Sequence, residues 1–555
     1  MKDEVVILNE RFDVVIKNGT IISGHSLASQ KGDIGLKDGR ISKVQSRIDD
    51  SAVREIDASS FIVSPGFIDM HSHSDYIMPL VGSADSFVRQ GITTTVVGMC
   101  GSSIAPIHPE KKNEFKEELG LFVPPLKDIE IPWNTFGEYL DEMNRTPFAI
   151  NTVHCVGYEA IRMAGGAGYE NRPPTENEMR NMRNLVKEAM EAGAFGLSTG
   201  LIYAPQVFAD TNELRELAKI VGQYKGLYFS HIRGEAKTVF AAIKEVEEIV
   251  RGTECVGAHV AHHKIADKEI WGQSTESLAL VDRINEAGTS LTFDSYPYDR
   301  GCSGLVTALP PWVREGSTSA IIECLKDKSN RDRIVREVEK DINTDPNAIW
   351  ENWIKTDGFE NIFISHVENK RWKFAERMSI TQIAMHEKDM DEWEVFFNIL
   401  IDDEGSTSVT MKSMGDEDVR NIMLHPRQTF GTDGMACPVD YAYGISHPRS
   451  FGTYPRVLGK YVREERVMSL VDAIRKMTYL PAERLGLHDR GRIQEETIGD
   501  IVIFNPVTVN DNATYAEPNL FPDGIEYVII NGEIVVETGH QNSIFPGKVL
   551  RHKLV

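Results

Sequence analysis

The chain has 555 residues, too many for one small domain, and 41% of them are hydrophobic, which excludes a wholly disordered protein. Asp and Glu outnumber Lys and Arg by 83 to 60, and the formal charge of −23 argues against a nucleic-acid or anionic-membrane partner. The six cysteines form no CxxC pair, and no apolar run approaches the roughly 18 residues of a membrane helix. We therefore expect a cytoplasmic protein with free thiols and no membrane partner.

Short β-strands are predicted at both ends of the chain. The segment Phe12–Ile22 is predicted to form a hairpin, because the pair Asn18-Gly19 lies between β-branched runs. Segments 499–504 and 527–536 have the same β-branched character. This likeness predicts one small β domain built from both termini, with two unrelated β caps as the alternative.

The middle of the chain alternates predicted helices and strands. Thr175 and Glu178 have the spacing of a capping box, and Gly193 ends the helix that they begin. Further helix–strand units follow, with strands predicted at 194–199, 227–231, 256–262 and 290–296. Repeated βα units indicate a parallel sheet with helices on its faces, in either a doubly wound sheet or a barrel.

Reactive side chains decide between these two architectures. They lie at or just after the predicted strand ends, at His71, Cys100, His231, His262, Tyr296 and Asp433. Strand ends converge on one mouth in a barrel, whereas an open sheet spreads them along a line. We therefore predict an α/β fold with three parts: a (β/α)8 TIM barrel over 65–489, a small discontinuous β-sandwich domain from 1–64 and 490–555, and an insertion at about 301–425 between strands 7 and 8. The insertion is predicted to be either a partly helical lid or a surface excursion without a catalytic role.

Histidines at these strand ends are candidate metal ligands. His71 and His73 are separated by one residue, so an extended segment points both imidazoles to the same side. His231 and His262 end neighbouring strands, which lie about 4.8 Å apart in a sheet and let both rings reach one cation. Strand alternation allows only one of His262 and His263 to point inward, and we favour His262.

A cysteine and an aspartate complete the set of candidates. Cys100 follows a β-branched strand and is bracketed by glycines, and a thiolate at this edge suits zinc. Asp433 lies in a Gly-Thr-Asp-Gly segment after the last predicted strand. A carboxylate beside a metal-activated water can accept its proton and then return it to a leaving group.

With these residues in view, the chain resembles the N-acyl-D-amino-acid deacylase (D-aminoacylase) family of the metal-dependent amidohydrolase superfamily. The resemblance extends over nearly the whole chain. It rests on HSHSD at 71–75, MCGSSIAP at 99–106, GAFGLSTGLIYAP at 193–205, SHIRGE at 230–235, AHHK at 261–264, FDSYPYDRG at 293–301, GTDG at 431–434 and HPRSFGTYPRVLG at 447–459. One departure is Met99, where the family usually has Asn, and it removes a polar side chain that we expect near the rim.

The resemblance implies a set of site residues. It implies one zinc ion bound tightly by Cys100, His231 and His262, a second and weaker metal position at His71 and His73 with Cys100 shared, and Asp433 as the catalytic acid and base. Lys264 and Tyr296 fall in the region that the family uses for substrate binding. Arg449 is a further candidate for the substrate carboxylate, with a loop-tying structural role as its alternative.

The implied activity is zinc-dependent hydrolysis of N-acyl-D-amino acids to a carboxylate and a free D-amino acid, and the D configuration enters only through the resemblance. Many relatives that hydrolyse cyclic amides bridge two metals with a carboxylated lysine on the fourth strand. The corresponding segment here, 195–199, has no lysine. The alternatives are another hydrolase of the superfamily, either a cyclic amide hydrolase or a deaminase, and a non-catalytic barrel scaffold.

Overall fold

The computed structural model describes residues 11–340, 350–438 and 447–553. Four segments lie outside these ranges: 1–10 and 554–555 of the predicted β domain, 341–349 of the predicted insertion and 439–446 of the predicted barrel. Within the described ranges, no helix has both the length and the apolar character that crossing a membrane requires.

Strands and helices alternate through much of the described chain. The strands are β1 (Phe12–Ile22), β2 (Ser29–Lys37), β3 (Arg40–Gln45), β4 (Ala52–Asp57), β5 (Ile62–Pro65), β6 (Phe67–Asp69), β7 (Ile92–Val97), β8 (Asn151–His154), β9 (Val156–Gly157), β10 (Gly196–Gly200), β11 (Leu227–His231), β12 (Gly257–Val260), β13 (Leu291–Ser295), β14 (Gly301–Gly304), β15 (Ile362–His366), β16 (Ser408–Met411), β17 (Gln428–Phe430), β18 (Ile501–Phe504), β19 (Ile525–Ile530), β20 (Glu533–Glu537), β21 (His540–Gln541) and β22 (Val549–Leu550). The α-helices are α1 (Asp85–Val88), α2 (Lys112–Phe122), α3 (Phe136–Arg145), α4 (Tyr158–Gly165), α5 (Glu176–Ala192), α6 (Thr211–Gln223), α7 (Val239–Val250), α8 (Ser274–Glu286), α9 (Thr318–Lys326), α10 (Lys328–Val338), α11 (Trp353–Asp357), α12 (Ile380–His386), α13 (Glu392–Asp402), α14 (Asp416–Leu424), α15 (Arg449–Arg456), α16 (Leu470–Met477) and α17 (Tyr479–Leu485).

Two sheets carry the candidate site, and every strand pair in them is parallel. Their strand orders are β17-β13-β12-β11-β10-β9 and β22-β8-β7-β6. Backbone hydrogen bonds link the two sheets, from Met70 N to Phe430 O at 3.1 Å and from Phe195 N to His154 O at 2.9 Å. The strands are almost wholly buried. Parallel strands are typically buried in this way, because other parts of the protein cover both faces of their sheet. The predicted α/β fold with parallel strands is confirmed.

Helix α5 illustrates how the connecting helices are set. Thr175 accepts a hydrogen bond from Glu178 N while the Glu178 side chain accepts one from Thr175 N, so the predicted capping box is present. Gly193 ends the helix with a φ of 108°, a left-handed conformation that a residue with a Cβ rarely adopts. Met182 and Val186 are fully buried on the face that packs against the sheet core.

Strands from both ends of the chain share one nine-stranded sheet. Its order is β21-β20-β19-β18-β5-β1-β2-β3, with β4 also paired to β1, and β5 runs antiparallel to β18. The predicted hairpin at Phe12–Ile22 is wrong, because β1 is a single strand over that length. Its register against β2 shifts between Ile16 and Gly19, and Asn18 adopts a φ of 60°. An Asn-Gly pair can therefore make a bulge as well as a turn, and here the N–H of Asn18 donates to Asp33 Oδ1 at 2.7 Å.

The segment between β13 and β17 forms a compact unit of its own. It contains the antiparallel sheet β14-β16-β15 and helices α9 to α14, although β13 and β17 pair directly with each other. Trp372, Phe396 and Leu400 are buried in an apolar cluster that belongs to this segment alone. The cluster gives the segment an internal core of its own.

Candidate metal centre

The candidate residues meet at the carboxyl ends of the parallel strands. His71 follows β6, Cys100 follows β7, His231 ends β11, His262 follows β12 and Asp433 follows β17. Carboxyl ends of parallel strands face the same way, so side chains from distant parts of the chain converge there. All five residues are less than one tenth exposed.

Cys100, His231 and His262 form one group of donor atoms. Cys100 Sγ lies 3.6 Å from His231 Nδ1 and 3.5 Å from His262 Nε2. A tetrahedral zinc ion with ordinary Zn–S and Zn–N bond lengths separates a sulfur and a nitrogen ligand by roughly 3.6 Å. The spacing and the donor types of this group therefore fit a zinc ion.

His71, His73, Cys100 and Asp433 form a second group beside the first. Asp433 Oδ1 lies 3.2 Å from His73 Nε2 and 3.3 Å from His71 Nε2, and His71 Nε2 lies 3.2 Å from Cys100 Sγ. Each donor atom of the group is within 4.8 Å of the others. Cys100 belongs to both groups, so its thiolate stands between two adjacent candidate positions.

The electrostatics of the cluster favour the ionised thiol and carboxyl. Burial by itself raises the pKa of Cys100, but the charge of His71 and hydrogen bonds from His231 and His262 outweigh it and hold that pKa well below its ordinary value. Burial likewise opposes ionisation of Asp433. The charge of Arg449 then overrides it and holds the Asp433 pKa well below the usual range.

Asp433 is oriented by partners on both of its oxygens. Arg449 Nη1 donates to Asp433 Oδ2 at 2.7 Å, while Oδ1 faces the two histidines of the second group. The Arg449 guanidinium also lies over the Tyr296 ring, 5.1 Å from its centroid. Arg449 is thus tied to Asp433, a contact that its sequence context did not predict.

A buried aspartate holds the Asp433 loop against β6. Asp69 accepts hydrogen bonds from Thr432 N at 2.7 Å, Thr432 Oγ1 at 2.9 Å and Thr95 Oγ1 at 3.1 Å. Burial raises the pKa of Asp69 to about 7. Sequence reasoning missed Asp69, although its place two residues before His71 was a usable signal.

Lys264 is engaged by protein groups. Its Nζ lies 2.5 Å from Glu235 Oε1 and 2.7 Å from His262 Nδ1, and Glu235 Oε1 lies 2.9 Å from the same Nδ1. If His262 Nε2 binds a metal, Nδ1 must carry the proton, and a carboxylate can accept it whereas an ammonium cannot. Glu235, which sequence reasoning also missed, is therefore the group placed to accept that proton.

His263 points away from the cluster, as strand alternation predicted. Its Nε2 lies 3.0 Å from Ser277 Oγ on α8. Met99 also faces away from the rim, contrary to expectation. It is fully buried in an apolar cluster with Val96 and Phe195. Met99 therefore packs beneath the sheet end and not at the rim.

A cavity of about 320 Å³ opens beside the cluster. His73, Cys100, Asp433 and Arg449 line its polar end. Its other walls include apolar side chains from helices and from the segment between β13 and β17, namely Phe115, Leu119, Met163, Val306 and Ile321. A smaller cavity of about 40 Å³ lies next to Lys264 and Tyr296. The two cavities provide room for a small organic molecule next to the candidate metal ligands.

Arg314 is a further cation on the wall of the larger cavity. It is only 3% exposed, and its Nη1 donates to Ile202 O at 2.8 Å. Its Nε and Nη2 have no hydrogen-bond partner among the residues that the structure describes. Burial lowers the pKa of Arg314 to about 10. Its run Pro310–Arg314 carries no motif, so sequence reasoning had no signal for it.

Comparison with known proteins identifies the family of this chain. A model of the Amidohydrolase family matches residues 391–536. Two proteins of Alcaligenes xylosoxydans xylosoxydans are similar over 98% of this chain: D-aminoacylase, 29% identical over 98% of its own length, and N-acyl-D-glutamate deacylase, 31% identical over 97% of its length. The structure of N-acyl-D-glutamate deacylase from Bordetella bronchiseptica, in complex with zinc and a phosphonate mimic of the tetrahedral intermediate, is 31% identical. It matches with a TM-score of 0.80 over 98% of this chain and 100% of that one. The chain therefore belongs to the N-acyl-D-amino-acid deacylase (D-aminoacylase) family of amidohydrolases.

Proposed function

We propose that this protein hydrolyses the amide bond of N-acyl-D-amino acids to a carboxylate and a free D-amino acid. The observation that carries the proposal is the convergence of Cys100, His231 and His262 at zinc-compatible spacing, with Asp433 beside them. The names of the full-length relatives supply the substrate class and the D configuration.

A zinc ion would be held by Cys100, His231 and His262. A second, weaker position would use His71 and His73 and share Cys100. The choice of zinc is supported by the thiolate and imidazole donors and by the zinc in the Bordetella relative. When bound, zinc supplies a Lewis acid for the scissile carbonyl and lowers the pKa of the attacking water.

Asp433 is proposed as the catalytic acid and base. Its Oδ1 takes a proton from the attacking water as the new C–O bond forms, and the same oxygen then gives that proton to the amine nitrogen as the C–N bond breaks. The ion pair between Arg449 and Oδ2 keeps Oδ1 directed at the cluster throughout. One water is consumed, and its atoms end in the carboxylate and the amine.

Tyr296, Arg449 and Lys264 are proposed to bind the substrate carboxylate. Both cations lie over the Tyr296 ring, Arg449 at 5.1 Å and Lys264 Nζ at 5.8 Å from its centroid. Arg449 presents further N–H groups besides the one that pairs with Asp433. The carboxylate would therefore lie beside two cations, whose charges Asp433 and Glu235 offset in part.

For the architecture, we propose that the two parallel sheets, apart from β22 at 549–550, form one (β/α)8 barrel within residues 65–489. The hydrogen bonds between the two sheets support a continuous ring, as does the parallel bridge between Ser72 and Gly434. The strands of 1–64 and 490–555, except β22, which pairs with β8, would form a separate β-sandwich domain. The segment 301–425 would be an insertion between barrel strands 7 and 8.

A substrate panel with metal analysis on the same sample tests the function. We expect free amino acid from N-acetyl and longer N-acyl D-amino acids, no release from the L enantiomers, and zinc in the active preparation. Turnover of hydantoin or dihydrouracil would favour a cyclic amide hydrolase, and ammonia release from an aminopyrimidine would favour a deaminase. A metal-free protein that turns over none of these compounds would support the scaffold alternative.

A further inference from the structure

The segment between β13 and β17 reaches the metal-site loops through one buried carboxylate. Glu351 is 4% exposed and lies just before α11. Its Oε2 accepts a hydrogen bond from Glu235 N at 2.8 Å, and its Oε1 accepts from Ala236 N at 2.7 Å and from Thr238 Oγ1 at 2.9 Å. All three donors lie in the loop that follows His231.

The loop is shaped to admit this carboxylate. A Cβ at Gly234 would lie 2.7 Å from Glu351 Oε1 and closer still to Thr238 Oγ1, so a larger residue there would clash with both. Glycine at 234 therefore allows the backbone to close around the Glu351 side chain. The contact joins two parts of the chain that are more than one hundred residues apart.

The backbone that Glu351 binds belongs to Glu235, and the Glu235 side chain contacts the His262 ring. Glu235 Oε1 lies 2.9 Å from His262 Nδ1 and 2.5 Å from Lys264 Nζ. A proton on Nδ1 leaves Nε2 free as a ligand atom, and Nε2 is the atom that faces Cys100. A displaced Glu235 would release both the tautomer of His262 and the orientation of its ring.

We propose that Glu351 is a positioning residue for the metal centre. It fixes the backbone of Glu235, and through Glu235 it holds His262 in its zinc-binding tautomer. The segment at 301–425 thereby supplies a residue that helps to position the metal ligands. This inference rests on the proposed role of His262 as a zinc ligand. Partners that orient a metal-bound histidine typically change metal affinity by about 10- to 100-fold when they are removed.

The same segment contains a matched carboxylate that lacks the link to the site. Asp403 is also 4% exposed, and it accepts hydrogen bonds from two successive backbone N–H groups, Glu368 at 2.9 Å and Asn369 at 2.7 Å, and from Thr407 Oγ1 at 2.6 Å. None of these partners contacts a candidate metal ligand. Asp403→Asn therefore imposes the same kind of structural loss away from the cluster.

The test compares Glu351→Gln with Asp403→Asn in the full-length protein. Zinc affinity is measured by competition with a chelator, and the melting temperature is measured on zinc-free protein. We expect Glu351→Gln to weaken zinc binding about 10- to 100-fold. We expect Asp403→Asn to lower the melting temperature comparably and to leave zinc affinity within about threefold. Equal zinc affinities in the two variants would overturn the proposal.

Two further variants make the test independent of gross misfolding. Thr238→Val removes only one hydrogen bond to Glu351 and should weaken zinc binding in the same direction by a smaller factor. Glu235→Gln combined with Glu351→Gln should weaken zinc binding by less than the product of the single effects, because both act through one path. Independent effects would contradict the proposal. Wild-type protein without zinc affinity would refute the proposed function itself, whereas zinc-binding wild type with an unchanged Glu351→Gln would refute only this inference.

Discussion

Three candidate site residues hold a left-handed backbone conformation. The φ angles are 53° at Cys100, 33° at His262 and 48° at Asp433. Such angles cost about 1–2 kcal/mol for residues other than glycine, although aspartate tolerates them better than most. The turn directly after each strand aims the side chain inward, so stability is given up where donor atoms must converge.

Asp433→Asn is the cleanest test of the acid–base role. Asparagine keeps the size of the side chain and tolerates the positive φ, so the change removes the proton acceptor without reshaping the loop. We expect kcat to fall about 10²- to 10⁴-fold. Zinc content should stay unchanged, because Cys100, His231 and His262 remain. Activity within tenfold of wild type, with zinc retained, would remove Asp433 from its assigned role.

Site residues could be predicted from the sequence where they directly follow a recognisable strand. His71, Cys100, His231, His262 and Asp433 each follow a β-rich run, and the parallel-strand rule brings such positions together. The contact between Glu235 and Glu351 has no such local signal. It depends on how a distant segment folds back over a loop, and neither periodicity nor motif spacing encodes that.

At the scale of elements, helices α4 and α6 are joined by a fully satisfied buried arginine. Arg162 is wholly buried and donates to Glu213 Oε1 at 2.9 Å and to Tyr158 Oη at 3.1 Å. It also donates to three backbone carbonyls, at Gly168, Glu170 and Arg172. The neighbouring α4 residues Ala160 and Met163 line the larger cavity. This network therefore fixes one wall of the candidate substrate site.

Arg162→Met should lower the free energy of unfolding by about 3–5 kcal/mol, because it leaves Glu213 buried without its cation. The matched control is Arg183→Met, whose pair with Glu216 at 3.3 Å joins partly exposed side chains. That surface pair should contribute no more than about 1 kcal/mol. Urea denaturation of both variants measures the difference, and equal midpoints would contradict this account of the network.

Elements with strong local signals matched their prediction, and ambiguous ones did not. Helix α5 has its capping box and its terminal glycine at the predicted residues. The Asn18-Gly19 pair was misjudged, because a tight turn and a bulge need the same left-handed backbone. Only the partner strand distinguishes them, and β1 continues past the bulge because β2 pairs with it on both sides.

At the scale of the whole molecule, the charge of −23 opposes a negatively charged substrate. The proposed substrate carries a carboxylate, which the buried Arg449 and Lys264 next to Tyr296, together with Arg314 on the cavity wall, favour locally. Dissolved salt screens the long-range repulsion far more than it screens contacts between buried groups. The Debye length is about 10 Å at 0.1 M ionic strength. We therefore expect KM to fall as ionic strength rises from about 10 to 200 mM. Initial rates at fixed pH measure the trend, and a KM that rises with salt would mean that the local cations dominate the encounter.

The pairing of β5 with β18 sets the order in which the molecule can be completed. More than four hundred residues separate the two strands along the chain. At a synthesis rate of about 5–20 residues per second, β5 emerges from the ribosome tens of seconds before β18. During that interval one edge of β5 stays unpaired while the middle of the chain begins to fold. An open strand edge invites pairing with other chains. Because of this sheet topology, we expect the protein to aggregate more slowly at low expression temperature. We expect the same effect from a chaperone that covers nascent strands.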